Sequence, residues 1–146
     1  MPELIRTAVL RVRTYFKDLR QSPRLRLRLM FTISIHRPEK NGLYRQPKVL
    51  RGHTRDISLS GMALLVPRVH LDGHHFAAEG RELEVCLEWG SEPPVLLTVV
   101  PNRYQQLDEP ELGCAYLLGV RVVRMEEADR LRYAQLLREG LAAADA

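Results

Sequence analysis

The stretch L-R-L-R-L-M-F-T-I-S-I, Leu25 to Ile35, decides the fold. Leu25, Leu27, Leu29, Phe31, Ile33 and Ile35 occupy every second position, and Arg26, Arg28, Met30, Thr32 and Ser34 fill the places between. Successive side chains of an extended chain point to opposite faces, so this period of two predicts a half-buried antiparallel strand with one face in a core and the other in water. A helix would need its apolar residues three or four apart.

On the N-terminal side the period changes. In L-I-R-T-A-V-L-R-V-R-T-Y-F-K-D-L, the residues Leu4, Ile5, Ala8, Val9, Val12, Tyr15, Phe16 and Leu19 share one helical face, with Arg6, Arg13 and Lys17 off it. A basic amphipathic helix is expected over residues 1–19, packed on the following domain or on a partner protein, with a membrane-surface role as the lesser reading. Ser22-Pro23 ends it, because proline offers no N–H and disfavours helix at the residue before it. On the C-terminal side, a polar connector with Pro38 and Asn41-Gly42 leads to strand candidates near 48–55, 62–66, 81–89, 94–100 and 114–124. The runs at 94–100 and 114–124 are continuously apolar, as strands covered on both faces would be. M-E-E-A-D-R-L-R-Y-A-Q-L-L-R-E-G-L then reads as a helix over 125–143, with Leu131, Ala134, Leu137 and Leu141 on one stripe and Glu126, Glu127 and Asp129 at its electropositive N-terminus. About six strands between turn signals favour a closed barrel over an open sheet with bare edges. The expected architecture is mainly β: a small six-stranded antiparallel β-barrel over 20–146, including the C-terminal helix, preceded by the N-terminal amphipathic helix.

A chain of 146 residues, 45% of them hydrophobic, can build one domain with a real core. Its formal charge of +4 is unevenly spread: residues 1–28 carry +6, residues 29–124 carry eleven charges of each sign, and the remainder carries −2. An anionic partner should therefore meet the N-terminal segment. Cys86 and Cys114 sit inside apolar strand-like runs and read as buried thiols, in keeping with a reducing cytoplasm. Neither a membrane-length apolar run nor a signal-peptide pattern occurs in the sequence.

No G-x-x-x-x-G-K-[ST], G-x-S-x-G, H-E-x-x-H or C-x-x-C is present, so no familiar enzyme or zinc site is signalled and none is expected. H-L-D-G-H-H, His70 to His75, holds metal-ligating residue types, but its Asp-Gly is a turn signature and a surface loop is expected. D-I-S-L-S-G, Asp56 to Gly61, has two readings. In one, Asp56 and Ser58 only close a turn; in the other, Asp56 accepts from the N1–H and amino group of a guanine, Ser58 donates to an oxygen, and Gly61 permits close approach. R-Q-S-P-R adds Arg20 and Arg24 where the basic segment meets the barrel, and a guanidinium fork suits both a phosphate and the O6/N7 edge of guanine. Arg24/Arg28 and Arg51/Arg55 share the R-x-x-x-R spacing.

An R-x-x-x-R pair, then about thirty residues, then D-x-S-x-x-G leading into a strand, resembles the PilZ domain family of bacterial cyclic di-GMP receptors. The resemblance runs from about residue 20 to the C-terminal helix and includes G-V-R-V near Gly119; residues 1–19 lie outside it. It implies a cytoplasmic, non-enzymatic sensor module with cyclic di-GMP as ligand and no cofactor. It also implies that Arg20 and Arg24 grip phosphates and guanine edges, that Asp56 and Ser58 read guanine, and that Gly61 keeps the floor of the site clear. Because the family's arginine pair precedes the first strand, Arg20/Arg24 is preferred over the other two pairs. Ligand binding is expected to order the arginine linker and relay a signal through the N-terminal helix to a partner or attached domain. A PilZ-like interaction adaptor is one alternative. A single-stranded nucleic-acid-binding barrel is another, but aromatic residues are only 6% and are not interleaved with the basic ones, so no specific nucleic acid is expected.

Overall fold

The computed structural model describes residues 23–35, 48–71, 73–78 and 80–145. The helix expected over 1–19, Arg20, and the connector with Pro38 and Asn41-Gly42 lie outside the described residues. The described elements are β1 (Leu25–Arg26), β2 (Met30–Ile35), β3 (Leu50–Ile57), β4 (Gly61–Val66), β5 (His70–Leu71), β6 (His74–His75), β7 (Leu83–Trp89), β8 (Glu92–Glu111), β9 (Cys114–Arg124) and α1 (Glu127–Asp145). The main sheet runs β3-β2-β7-β8-β9-β4, and β4 pairs with β3 to close it, giving the six-stranded antiparallel barrel. Closure removes the bare edges that an open sheet of these strands would leave.

Alternation fills the barrel. Phe31 and Ile33 from β2, Ile57 from β3, Leu64 from β4, Leu83 and Leu87 from β7, Val95 and Val99 from β8 and Leu118 from β9 are each fully buried. β4 is buried at every position, because Met62, Leu64 and Val66 join the interior cluster while Ala63 and Leu65 join Cys114 and Leu117 in a second cluster. In β8, by contrast, Val95, Leu97 and Val99 are buried but Leu96 is 58% exposed, so the continuous apolar run there is covered on one face only.

Three elements differ from expectation. The strand at Leu25–Ile35 is broken at Leu27–Leu29. Four steps from Arg26 to Met30 face three from Asp56 to His53, which is the one-residue excess of a β-bulge. Thr54 pins it: its Oγ1 accepts from Leu29 N at 2.9 Å and donates to Leu27 O, and its own N–H donates to Leu29 O at 2.9 Å. β8 continues well past residue 100, to Glu111, paired with β9 as far as Glu111 opposite Cys114. Beyond Val99 it has lost β7 and pairs with β9 alone, and past Gln106 β9 has left β4 as well, so the tip is a two-stranded ribbon; the polar residues of this outer half face water, a pattern that carries no apolar signal. The ribbon turns at Leu112 and Gly113, with φ of 50° and 82°, the double positive φ of a type I′ hairpin. Within H-L-D-G-H-H, His70–Leu71 and His74–His75 pair as the short antiparallel strands β5 and β6, with His70 opposite His75, where a plain loop is expected.

α1 packs through Tyr133 and Leu137, both buried, and Leu141, partly buried; Leu131 is 63% exposed and does not belong to the buried face. Arg132 fastens the helix to the β7–β8 end by donating to the carbonyls of Pro93 and Pro94, the latter at 2.9 Å. At the far end Gly140 sits against β1: a Cβ there would lie 2.5 Å from Leu25 Cδ2. No helix among the described residues is long and apolar enough to cross a membrane.

Candidate ligand-binding site

β3 delivers the D-x-S-x-x-G segment. Thr54 lies opposite Leu64, but Asp56 lies opposite Ala63, so Arg55 is an extra residue and the alternation restarts after it. As a result Ile57 points into the core, while Asp56 keeps its carboxylate at the surface with 17% of the side chain exposed. Ser58 then closes the turn into β4: its N–H donates to Gly61 O at 2.8 Å, its hydroxyl donates to the same oxygen at 3.0 Å, and Gly61 N–H donates to Ser58 Oγ at 3.2 Å. Ser58 is 1% exposed, whereas Leu59 and Ser60 at the tip of the turn are exposed. The hydroxyl of Ser58 is thus engaged within the turn. Gly61 has a reason of its own to be glycine, since a Cβ there would lie 2.5 Å from the carbonyl oxygen of Val120 on β9.

The arginine side meets this turn directly. β1 pairs with the end of β3, Leu25 opposite Ile57 and Arg26 opposite Asp56, which carries the chain past Asp56 just after Arg24. Arg24 Nη1 donates to Asp56 Oδ1 in an ion pair whose arginine side chain is 39% exposed. One arginine of R-Q-S-P-R and the aspartate of D-I-S-L-S-G, 32 residues apart, are therefore in contact. Arg28 turns elsewhere, its guanidinium 4.0 Å from Glu111 on the ribbon, and Arg51 and Arg55 are exposed on β3.

Tyr133 escapes sequence reasoning. Its hydroxyl, carried on α1, donates to the carbonyl oxygen of Ser58 at 2.7 Å, linking the C-terminal helix to the turn. Burial pushes the phenol well above its ordinary pKa of 10.0, and the nearby positive charge of Arg24 offsets this only in part. Trp89 closes against the same ring edge to face, with centroids 6.2 Å apart. In the sequence, the one hint is a tyrosine in an otherwise aliphatic helical face.

A second polar cluster lies under the ribbon. His53, 3% exposed, has Nδ1 3.9 Å from Cys114 Sγ, and its Nε2 stands 4.0 Å from Glu111, too far for a hydrogen bond. Burial lowers the pKa of His53, Arg28 lowers it further, and Glu111 opposes both. Cys114 and the half-buried Cys86 are both free thiols, pushed up by burial. Among the described residues no three His, Cys, Asp or Glu side chains converge as metal ligands.

The chain is thus a closed six-stranded antiparallel barrel with a helix packed on it and a charged pair where β1 meets the end of β3. The sequence matches the PilZ domain family over residues 18–139, and the chain belongs to that family, whose members are cyclic di-GMP receptors. No curated protein matches the sequence. Among solved structures, the fold is similar to the Klebsiella pneumoniae MrkH–c-di-GMP complex, with TM-score 0.63, 20% identity and coverage of 86% of this chain and 53% of that one. It is similar to the Bacillus subtilis inhibitor of motility MotI/DgrA, with TM-score 0.57, 19% identity and coverage of 85% and 52%. It is also similar to the PilZ domain of Escherichia coli YcgR with c-di-GMP, with TM-score 0.58, 14% identity and coverage of 87% and 98%. The chain thus spans about half the length of the first two proteins and nearly all of the third.

Proposed function

We propose that this protein is a cytoplasmic cyclic di-GMP receptor module that binds the dinucleotide where Arg24 meets Asp56 and relays its presence without catalysing a reaction. The observation that carries the proposal is the contact between Arg24 and Asp56, because it unites the two separated motifs at one exposed place. Family membership and the likeness to folds solved with c-di-GMP support it.

The chemistry follows from the residues. Asp56 accepts from guanine N1–H and the exocyclic amine, and the guanidinium of Arg24, released from Asp56, takes a phosphate or the O6/N7 edge. Arg20, four residues earlier, supplies the second guanidinium, and the two cations match the ligand's two phosphate charges. Ser58 acts chiefly by holding the turn that presents Asp56, since its hydroxyl is committed to Gly61. Gly61 allows β4 to approach β9 and keeps the floor of the site level. Exchanging the Arg24–Asp56 pair for ligand contacts orders the linker from Arg20 to Arg24, and that ordering changes what the preceding segment presents to a partner or attached domain.

The test is a calorimetric titration of the full chain with cyclic di-GMP, with linear diguanylate, GTP and a random single-stranded oligonucleotide as controls. Saturable binding of the cyclic dinucleotide that weakens with salt yet outcompetes all three controls is expected. Equal affinity for GTP or for the oligonucleotide contradicts the proposal.

A further inference from the structure

The flank of α1 that faces away from the barrel carries a shallow groove of about 440 Å³, lined by Ala128, Leu131, Leu136 and Glu139 of the helix together with Glu92 from the start of β8. Leu131 is 63% exposed, an unusual position for a large aliphatic side chain on a helix whose opposite face is already packed. The charge of the groove is acidic at both ends, through Glu92 and Glu139. Its one arginine, Arg132, is already matched by Asp129 at 2.9 Å and by the Pro93 and Pro94 carbonyls.

We propose that the occupant of this groove is the chain's own N-terminal segment, residues 4–19, docked as a helix along α1. Four features of the molecule single it out. Leu4, Ile5, Ala8, Val9, Val12, Tyr15, Phe16 and Leu19 form an apolar stripe that needs a partner surface. At about 100° per residue, Arg11 and Arg13 border that stripe on its two sides, complementing Glu92 and Glu139. As a helix, residues 4–19 span roughly 24 Å, enough to cover the roughly 17 Å between Ala128 and Glu139. Finally, the chain enters the barrel at the same end of α1 as Glu139: Leu25 packs against Gly140, the next residue, and the linker from Arg20 to Ser22 reaches about 10 Å when extended. A lipid surface would take the same stripe, but it would leave Leu131 and the acidic groove uncovered. A second copy of this chain would bring one acidic groove against another.

This inference does not rest on cyclic di-GMP binding, and its test uses no ligand. Amide hydrogen exchange is measured on the full chain by mass spectrometry, comparing the wild type with Leu131→Asp in the groove and Val12→Asp in the stripe. Backbone amides of residues 4–19 are expected to exchange at least tenfold slower in the wild type than in either variant, at the same rate across a tenfold range of protein concentration. Melting temperatures of the two variants should stay within a few degrees of the wild type, because Leu131 is not part of the barrel's buried core cluster and Val12 precedes the barrel's first strand. Unprotected exchange of residues 4–19 in the wild type overturns the proposal, as does protection that survives Leu131→Asp. Protection that grows with protein concentration assigns the groove to a second copy, and protection that appears only on adding anionic phospholipid vesicles assigns the stripe to a membrane; both results overturn it.

Discussion

The two halves of the candidate site are built differently. The Ser58–Gly61 turn is buried at both ends and multiply bonded: the carbonyl of Gly61 takes two hydrogen bonds, Tyr133 ties the Ser58 carbonyl to α1, and β9 lies too close for any side chain at Gly61. The arginine half is one partly exposed ion pair, Arg24 to Asp56, at the mouth of β1. A turn whose two ends are buried and bonded is fixed before ligand arrives, whereas a partly exposed ion pair is worth on the order of 1 kcal/mol or less and can be exchanged at little cost. The lesson is that one half of the motif is scaffold and the other half is the element a ligand can move.

Substitutions should separate the halves. Gly61→Ala forces a Cβ against the Val120 carbonyl, and overpacking on that scale should cost about 2–3 kcal/mol of stability, read as a drop in melting temperature, with ligand binding lost alongside. Arg24→Ala should do the reverse: cyclic di-GMP affinity falls by about 1.5–3 kcal/mol in a calorimetric titration, while the melting temperature scarcely moves. Asp56→Asn keeps the turn and replaces a charged acceptor by a neutral one, so affinity should fall by roughly 1–2 kcal/mol with the barrel intact. Equal stability losses from Gly61→Ala and Arg24→Ala would erase the distinction between scaffold and mobile half.

Smaller effects sharpen it. Tyr133→Phe keeps the ring against Trp89 but removes the donor to Ser58, which should cost about 1 kcal/mol in a denaturant titration and loosen hydrogen exchange at Ser58–Gly61. His53 bears on pH. Its folded pKa lies below the ordinary 6.5, so the stability contributed by its neutral form is present above that value and is lost as pH falls through the folded pKa. The wild-type melting temperature should therefore drop more steeply than that of His53→Leu between about pH 6.5 and the lower value at which folded His53 takes up its proton.

What the sequence made legible follows from what each element needed. Strands that bury one face inside a closed barrel, such as Leu83–Trp89, announce themselves by alternation, and α1 by its length and acidic start. The outer half of β8 pairs on one side only and faces water, so Pro101, Asn102 and the polar residues after them carry no strand pattern. The bulge at Leu27–Leu29 is made by Thr54, 25 residues away, and no local pattern of Leu25–Ile35 foretells it. In the site, Asp56, Ser58 and Gly61 were recognisable by type and spacing. Three things were hidden: that Ser58 spends its hydroxyl on Gly61, that Gly61 serves β9, and that Tyr133 reaches the turn from 75 residues along the chain. Each depends on a tertiary neighbour.

The exchange at Arg24 can be watched directly. Side-chain nitrogen-15 NMR of the full chain follows the Arg24 guanidinium, and carbon-13 NMR follows the Asp56 carboxylate, as cyclic di-GMP is added. Both signals should shift together and saturate at the calorimetric stoichiometry, while the Ser58 and Gly61 amides keep their slow exchange. Saturable binding that leaves the Arg24 and Asp56 signals unmoved would contradict the account, because the ligand would then occupy some other part of the barrel.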